Sequence, residues 1–365
     1  MWGAIIGGVF AATIAGALYL VWAFGRFGLV QKLAAGSRVR RLVIPAAFIG
    51  AVFGLLVLTL NTVNAVMVLL HVVLFMLLFG LIFRIVKAVR GKPAAHFWQG
   101  WLAVGCSAVY LVIAYIICHT VVRTDYTVRT RKLSEPLKIA LIADSHIGTT
   151  FDGEGFAEHL RTIEDQHPDM LLIAGDFVDD GTEKEDMVTA CKALGEMDLK
   201  YGVWYVSGNH DGGYFNRRNF SYYDLEKELT KNGVGVLDDE VVTPGEGICI
   251  IGRQDKNNRS RLPIASLMEK ADKSDYIIVM DHQPNDYAAE AEAGADLVVS
   301  GHTHGGQLLP ATYVGEWIGA NDRTYGYERR GNTDFIVTSG IADWEIKFKS
   351  GTKSEYVIIE VQPES

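Results

Sequence analysis

The sequence predicts two structural parts: four membrane-spanning α-helices in residues 1–122, and an α/β domain in residues 137–365. A polar connector at residues 123–136 is expected to join them. Residues 1–122 contain nine cations and no Asp or Glu, which leaves residues 123–365 with 25 cations against 43 anions and a formal charge of −18. Beyond Pro136, short apolar runs alternate with longer amphipathic stretches, a pattern typical of an α/β domain.

Four apolar segments are long enough to cross a membrane, at about residues 3–25, 42–60, 64–83 and 98–120. A hydrocarbon core about 30 Å thick requires roughly 20 apolar residues of helix. Apart from His71, the interiors of these helices contain no Asp, Glu, Lys, Arg or His, so the sequence offers no charged pathway of the kind that transporters use. We therefore expect a multi-pass membrane anchor.

The positive charges predict the orientation of this anchor, because Lys and Arg in short loops are retained on the cytoplasmic side. The loop after the first helix carries five cations: Arg26, Lys32, Arg38, Arg40 and Arg41. The end of the third helix carries four more: Arg84, Lys87, Arg90 and Lys92. The turn at residues 61–64 carries none. Four cations after the fourth helix favour the opposite orientation, but the nine cations listed above outnumber them. The C-terminal domain is therefore predicted to be extracytoplasmic.

The composition also excludes some classes of partner and scaffold. The acidic C-terminal part would repel a nucleic acid backbone, so no nucleic acid partner is expected. No obligate protein partner is evident. Four cysteines are too few for a disulfide scaffold, and Cys191 and Cys249 match no zinc spacing, so we interpret them as structural. Whether those two form a disulfide is left open.

Polar motifs follow five of the predicted strands. Residues 137–143, 170–174, 203–206, 276–280 and 297–300 run into D-S-H (144–146), G-D-F-V-D (175–179), S-G-N-H-D (207–211), D-H-Q (281–283) and G-H-T-H-G-G-Q (301–307). Helices are expected between them, near 154–166, 183–197, 221–232, 263–271 and 285–293. Side chains at the carboxyl ends of such strands converge on one crevice. Five histidines together with Asp144, Asp176 and Asn209 therefore predict a metal site.

The residue types restrict the metal. Imidazole nitrogens mixed with carboxylate and amide oxygens suit manganese, iron or zinc. Seven ligand groups are too many for one ion, but they suit two divalent ions about 3.5 to 4 Å apart. Such a pair serves displacement at phosphorus, and the chain has no glycine-rich phosphate loop with the spacing of nucleoside triphosphatases.

The motifs D-x-H, G-D-x-x-D, G-N-H-D, an isolated His and G-H-x-H occur in this order over residues 138 to about 305. In this they resemble the calcineurin-like metallophosphoesterase superfamily. The G-H-T-H-G-G-Q form beside membrane helices further resembles its YaeI-like bacterial branch. The resemblance implies two facing mixed β-sheets flanked by helices, and hydrolysis of phosphate esters by a hydroxide that two metals activate.

The resemblance also assigns roles to individual residues. One metal would be held by Asp144, His146, Asp176 and His304, and the other by Asp176, Asn209, His282 and His302, with Asp176 bridging. His210 would stand over the phosphate, stabilising the transition state or protonating the leaving oxygen, and Asp211 would orient it. Asp179 would lie behind the ligands and bond one of the ligand histidines.

These observations predict a membrane-anchored phosphoesterase acting on a phosphate ester or pyrophosphate bond, with a membrane-associated or lipid-linked substrate. A metal-dependent sensor of a phosphorylated ligand, with little turnover, is the alternative from another class. The intact His210 favours turnover, since a binding protein has no need of a spare acid. Specificity is least transferable from the family in residues 308–330, where the resemblance fades.

Overall fold

The computed structural model describes residues 2–92, 94, 96–215 and 217–364. The chain forms two compact units. The first extends to Tyr115 and also includes Glu345–Lys347, whereas the second contains Ile116–Trp344 and the C-terminal segment from Phe348.

The first unit is helical. Its helices are α1 (Trp2–Phe24), α2 (Gly28–Ala34), α3 (Arg40–Thr59), α4 (Thr62–Arg90) and α5 (Trp98–Cys118), the last of which continues into the second unit. By length and composition α1, α3, α4 and α5 can each cross a membrane, which confirms the four predicted segments. Helix α4 continues past the apolar segment at 64–83 and includes Arg84, Lys87 and Arg90, which are good helix formers. Gly91 then ends it in a left-handed conformation, with φ of 69°.

The second unit contains two six-stranded sheets. The strands are β1 (Val121–Thr130), β2 (Leu137–Ile142), β3 (Met170–Ala174), β4 (Val203–Val206), β5 (Gly235–Val236), β6 (Glu240–Gly245), β7 (Ile248–Gly252), β8 (Tyr276–Met280), β9 (Leu297–Ser300), β10 (Gly326–Arg330), β11 (Thr333–Val337) and β12 (Ser354–Pro363). The first sheet has the order β1-β12-β2-β3-β4-β5, and the second β10-β11-β9-β8-β7-β6. Each combines parallel and antiparallel pairs, as expected.

Helices cover the outer faces of both sheets. They are α6 (Gly153–Glu164), α7 (Lys184–Gly195), α8 (Tyr222–Lys231), α9 (Ile264–Met268) and α10 (Tyr287–Ala293), whereas the short α11 (Val314–Trp317) has no buried residue. Leu141 and Leu172 of the first sheet share one buried cluster with Ile250 and Ile278 of the second, so the two sheets face each other. Separate apolar clusters join the first sheet to α6, α7 and α8, and the second sheet to α9 and α10. The predicted fold class is therefore confirmed.

The predicted polar connector at 123–136 differs from the structure over most of its length. Strand β1 occupies Val121–Thr130 and pairs in parallel with β12. It forms the edge of its sheet, and its exposed residues alternate with half-buried ones. Such an edge strand carries many polar residues, which is why its composition resembled that of a linker.

Candidate metal centre

The candidate site is built by loops that follow strands of both sheets. His146 follows β2, Asp176 follows β3 and His210 follows β4, whereas His282 follows β8 and His302 follows β9. Because β2, β3 and β4 are parallel neighbours, and β8 and β9 are as well, their carboxyl ends lie along the same edge of each sheet. The two facing sheets bring these edges together.

The structure gathers the predicted ligands into two groups that could each hold a metal ion. One contains Asp144, His146 and His304, and the other Asp176, His282 and His302; within each group the ligand atoms lie within 4.8 Å of one another. Asn209 joins the second group, since its Oδ1 lies 3.2 Å from Nε2 of His282. All seven predicted ligands are therefore close together.

Asp176 lies between the two groups. Its Oδ2 is 3.2 Å from Nε2 of His282 in its own group and 3.7 Å from Nε2 of His146 in the other. Its Oδ1 accepts the backbone N–H of His210 at 2.8 Å, which fixes the carboxylate. One carboxylate is thus placed to serve both groups.

Five of the ligand residues have left-handed backbone conformations. The φ angles are 54° at Asp144, 36° at His146, 52° at Asp176, 70° at His302 and 48° at His304. Non-glycine residues seldom adopt this region, and those that do concentrate at functional sites, where the surrounding structure maintains the strain. The fold therefore holds these loops in a costly conformation at the candidate site.

Glycines in the same motifs allow the loops to approach one another. A Cβ atom at position 208 would lie 2.2 Å from Oδ1 of Asp176, and one at position 301 would lie 2.5 Å from Oδ2 of Asp144. At position 175, where φ is +86°, a Cβ would lie 2.5 Å from Nδ1 of His282. The glycines of G-D, G-N-H-D and G-H-x-H are thus required by close contact with the ligands themselves.

His146 shows that these residues fit a metal ion. Its side chain is fully buried, and neither ring nitrogen has a hydrogen-bond partner among the described residues. Leaving a buried polar group without a partner costs about 1 to 3 kcal/mol. The nearest carboxylates are those of Asp176 and of Asp179, whose Oδ2 lies 3.4 Å from Nδ1. A divalent cation among these acids would provide the missing partner.

Two ligand histidines are oriented by groups on their far side. Nδ1 of His282 donates to the carbonyl oxygen of Ala174 at 2.7 Å, which leaves Nε2 free to bind a metal. Nδ1 of His304 is 3.0 Å from Oδ1 of Asp343, a buried carboxylate that Lys349 also contacts at 3.1 Å. Sequence analysis missed Asp343, since it belongs to none of the five motifs.

The prediction that Asp211 orients His210 is wrong. The Asp211 carboxylate is buried and accepts the backbone N–H groups of Asp176, Val178 and Gly208 at 2.9, 3.0 and 2.7 Å, so it ties together the loops after β3 and β4. The residue that contacts the His210 ring is Asp179, with Oδ1 3.0 Å from Nδ1. Asp179 also lies beside His146, the relation predicted for it with a ligand histidine.

The pKa shifts match these contacts. Desolvation, with a smaller effect of His282, lowers the pKa of His302 to about 3, so this ring is neutral and can act as a ligand. Burial alone would raise the pKa of Asp176, but the adjacent His282 and His146 rings outweigh it and hold the pKa well below its usual value. Burial likewise opposes protonation of His210, yet its hydrogen bond to Asp179 raises the pKa overall.

Two aromatic side chains that the motifs did not predict border His210. The phenol of Tyr214 accepts from Nδ2 of Asn209 at 3.0 Å, and its ring centroid lies 5.0 Å from that of His210. The Trp344 ring lies 5.5 Å from the same histidine. Both are partly open to solvent, which makes them candidates for contact with a substrate.

The segment after the last ligand motif presents an apolar surface. Leu308 and Thr312 are buried and anchor it, whereas Leu309, Tyr313 and Trp317 are exposed, the last at 75 %. Ile318 and Val314 are exposed beside them. We call these five exposed residues the apolar rim.

Comparison with known proteins identifies the family. Residues 137–306 match the family described as calcineurin-like phosphoesterase. A metallophosphoesterase of Aquifex aeolicus strain VF5 is 31% identical over 197 residues, which are 52% of this chain and 72% of that protein. The chain therefore belongs to the calcineurin-like metallophosphoesterase family, whose members depend on metals. Its placement in the YaeI-like branch stays a prediction.

Two further relatives concern the rest of the chain. A metallophosphoesterase of Helicobacter pylori strain J99 is 30% identical over 243 residues, which cover 64% of this chain and 62% of that protein. The chain thus spans about three-fifths of that relative's length. A protein of Danio rerio named "Transmembrane protein with metallophosphoesterase domain" is 25% identical over 304 residues, 77% of this chain and 68% of that protein. With the four long apolar helices, this similarity indicates membrane association.

Proposed function

We propose that the protein is a membrane-anchored phosphoesterase that hydrolyses a phosphate ester or pyrophosphate bond with two divalent metal ions. The main observation in support of this proposal is the position of Asp176, whose carboxylate lies between the two groups of candidate ligands. The unpartnered nitrogens of buried His146 support it, because they leave a place for a cation. The mixture of imidazole, carboxylate and amide groups suits manganese, iron or zinc.

The ligand assignment follows the two groups. Asp144, His146 and His304 would hold one ion, and Asn209, His282 and His302 the other, with Asp176 shared. When bound, such ions supply a water molecule of lowered pKa and positive charge facing the phosphate oxygens. The protein's own part is to fix these ligands, through Ala174 and Asp343 behind two of the histidines.

His210 is the proposed acid. Because its Nδ1 is engaged by Asp179, its Nε2 is the atom that can donate a proton to the leaving oxygen. The raised pKa favours the protonated ring that this role requires. A sensor that only binds a phosphorylated ligand does not need this pair, so the His210–Asp179 contact favours turnover over sensing.

The apolar rim supports a lipid-linked or membrane-associated substrate. Leu309, Tyr313, Val314, Trp317 and Ile318 follow directly on the loop that carries His302 and His304. Several large apolar side chains exposed within ten residues are typical of a binding face. For a substrate confined to the same membrane, anchoring also raises the effective concentration without any new contact.

Hydrolysis assays test this function directly. Purified protein would be stripped of metal, reloaded with manganese, iron or zinc, and given monoesters, diesters and pyrophosphates in short-chain soluble and lipid-linked forms. We expect hydrolysis by loaded protein only, and faster hydrolysis of the lipid-linked forms. Metal-dependent binding of these compounds without turnover would instead establish the sensor function. Full activity of the stripped protein would rule out the proposed mechanism.

The proposed orientation places the C-terminal domain outside the cytoplasm. Cysteine substitutions at exposed positions test it: Thr62→Cys at the start of α4, Lys200→Cys in the C-terminal domain, and Arg38→Cys after α2. A membrane-impermeant thiol reagent added to intact cells should label the first two and leave Arg38→Cys unlabelled until the membrane is opened. Labelling of Arg38→Cys alone would show that the orientation is reversed.

A further inference from the structure

A cavity of about 1070 Å³ lies within the first unit, and none of its lining residues belongs to the candidate metal centre. Residues from α1, α2, α4, the chain before α5 and the first turn of α5 line it. Four of the lining residues are cations: Arg26, Lys32, Arg84 and Lys87. Among the described lining residues none is acidic.

The first unit offers these cations little negative charge. Residues 1–122 contain no Asp or Glu, and Glu345, which belongs to this unit, contacts Asn61 at the start of α4 with its carboxylate. Arg84 and Lys87 lie near the other end of α4, and at 1.5 Å per residue a separation of 23 residues is about 34 Å. Among the described residues of the first unit, no carboxylate therefore neutralises the cavity.

The cavity is lined by aromatic side chains of the type found where membrane helices meet lipid headgroups. Trp22, Trp98 and Trp101 line it, and each is more than half exposed. Tryptophan is enriched where membrane helices meet the interface, because its ring is apolar and its N–H is polar. The Arg26 guanidinium lies 4.5 Å from the centre of the Phe97 ring, which holds this cation at the cavity wall.

We propose that this cavity binds the phosphate-bearing headgroup of an anionic membrane phospholipid. Arg26, Arg84 and Lys87 face the phosphate. The acyl chains lie along exposed apolar side chains of α1 and α4, such as Leu18 and Leu81. Basic pockets between membrane helices suit anionic headgroups, and the volume is of the size of small-molecule sites. The site does not depend on the proposed hydrolysis, since it shares no residue with the metal centre.

Lipid titration of the full-length protein in detergent tests this proposal. Phosphatidylglycerol is the probe, phosphatidylcholine is the zwitterionic comparison, and the fluorescence of the lining tryptophans and retained lipid by native mass spectrometry are the readouts. The variant is the double substitution Arg26→Gln/Arg84→Gln, and the matched control is Arg38→Gln/Arg40→Gln, which removes the same charge outside the cavity lining. We expect the cavity pair to weaken phosphatidylglycerol binding about tenfold or more, and the control by less than about twofold.

Three results would overturn the proposal. Equal weakening by the two double variants would show general attraction to the basic surface. Equal affinity of the unmodified protein for the two lipids would show that the cations do not distinguish an anionic headgroup from a zwitterionic one. Competition by glycerol phosphate at concentrations similar to those of the lipid would assign the cavity to a soluble anion. If Arg26→Gln/Arg84→Gln does not elute as a folded protein, the single substitution Lys87→Gln in the last turn of α4 replaces it. This variant is expected to weaken phosphatidylglycerol binding about threefold or more.

Discussion

The cations of the two units have opposite environments. In the first unit Arg26, Arg84 and Lys87 are exposed and have no carboxylate partner among the described residues. In the second unit Arg253 is buried, and its Nη1 lies 2.9 Å from Asp281 and 3.1 Å from Glu290. The buried cation of the second unit therefore stabilises the fold through ion pairs, whereas the exposed cations of the first unit can interact with anionic groups at a membrane surface.

The histidines show the same difference. His71, in α4, is buried, but its Nδ1 bonds the carbonyl oxygen of Met67 at 2.7 Å and its ring stacks on Tyr110. His146 is equally buried without such a partner. A buried histidine with a satisfied ring is structural, and one with unsatisfied nitrogens among carboxylates indicates a ligand.

Replacing the shared carboxylate should have the largest effect. Asp176→Asn removes the negative charge between the two ligand groups, so we expect the metal content to fall. The rate of hydrolysis should fall further than on loss of a single acid–base group, which typically lowers a rate about 10² to 10⁴-fold. Metal analysis and initial rates measure this. Asp152→Asn, at the exposed start of α6, is the matched control and should keep both. Unchanged metal content in Asp176→Asn would contradict the shared position.

His210→Ala should separate catalysis from metal binding. We expect bound metal to be retained and kcat to fall about 10² to 10⁴-fold, because the variant lacks the proposed proton donor. Asp179→Asn should lower kcat by a smaller factor, since it leaves the ring in place but unsupported. A substrate whose leaving group has a low pKa needs no proton donor, so the kcat for such a substrate should fall much less in both variants. Loss of metal in His210→Ala would make this residue a ligand.

Arg253→Ala tests the structural use of charge in the second unit. It removes the cation that Asp281, Asp286 and Glu290 share, although Arg261 still contacts Asp281. Breaking a buried ion pair costs about 3 to 5 kcal/mol when no cation remains, so we expect a loss near the lower end of that range. Denaturant unfolding followed by tryptophan fluorescence measures the loss. Arg131→Ala removes an exposed cation paired with Glu364 and should change little. Similar unfolding midpoints for the two variants would contradict the interpretation that the buried cation stabilises the fold more than the exposed one.

The apolar rim should give the smallest effect. Trp317→Ser/Ile318→Ser removes exposed apolar area, so we expect a several-fold fall in hydrolysis of a lipid-linked substrate in vesicles and no change for its soluble short-chain analogue. Tyr223→Ser, an exposed aromatic residue on α8, is the control. Equal effects on the two substrates would argue against a lipid-facing role.

The sequence predicted those parts of the fold whose physical signal is local. Strands β3, β4, β8 and β9 have the predicted bounds, because buried parallel strands are continuous apolar runs that end in polar motifs. The five motifs also contain the seven candidate metal ligands that the structure brings together, since each motif follows its strand. Helices α1, α3, α4 and α5 followed from length and composition alone.

Parts that depend on distant contacts were not predictable. Strand β1 carries alternating polar residues, and its partner β12 lies at the other end of the chain. Asp343 reaches His304 only through the fold, so no spacing pointed to it. The contact between Asp179 and His210 was missed for the same reason, because which of two nearby carboxylates meets His210 is decided by the loop conformation.

A metal titration tests the central claim most directly. Stripped full-length protein would be titrated with manganese, with hydrolysis and bound metal followed together, and repeated for Asp176→Asn. The account predicts that activity rises until two equivalents are bound per chain and that Asp176→Asn fails to reach this level. Full activity at one equivalent, or activity that is independent of added metal, would contradict a two-metal centre organised around Asp176.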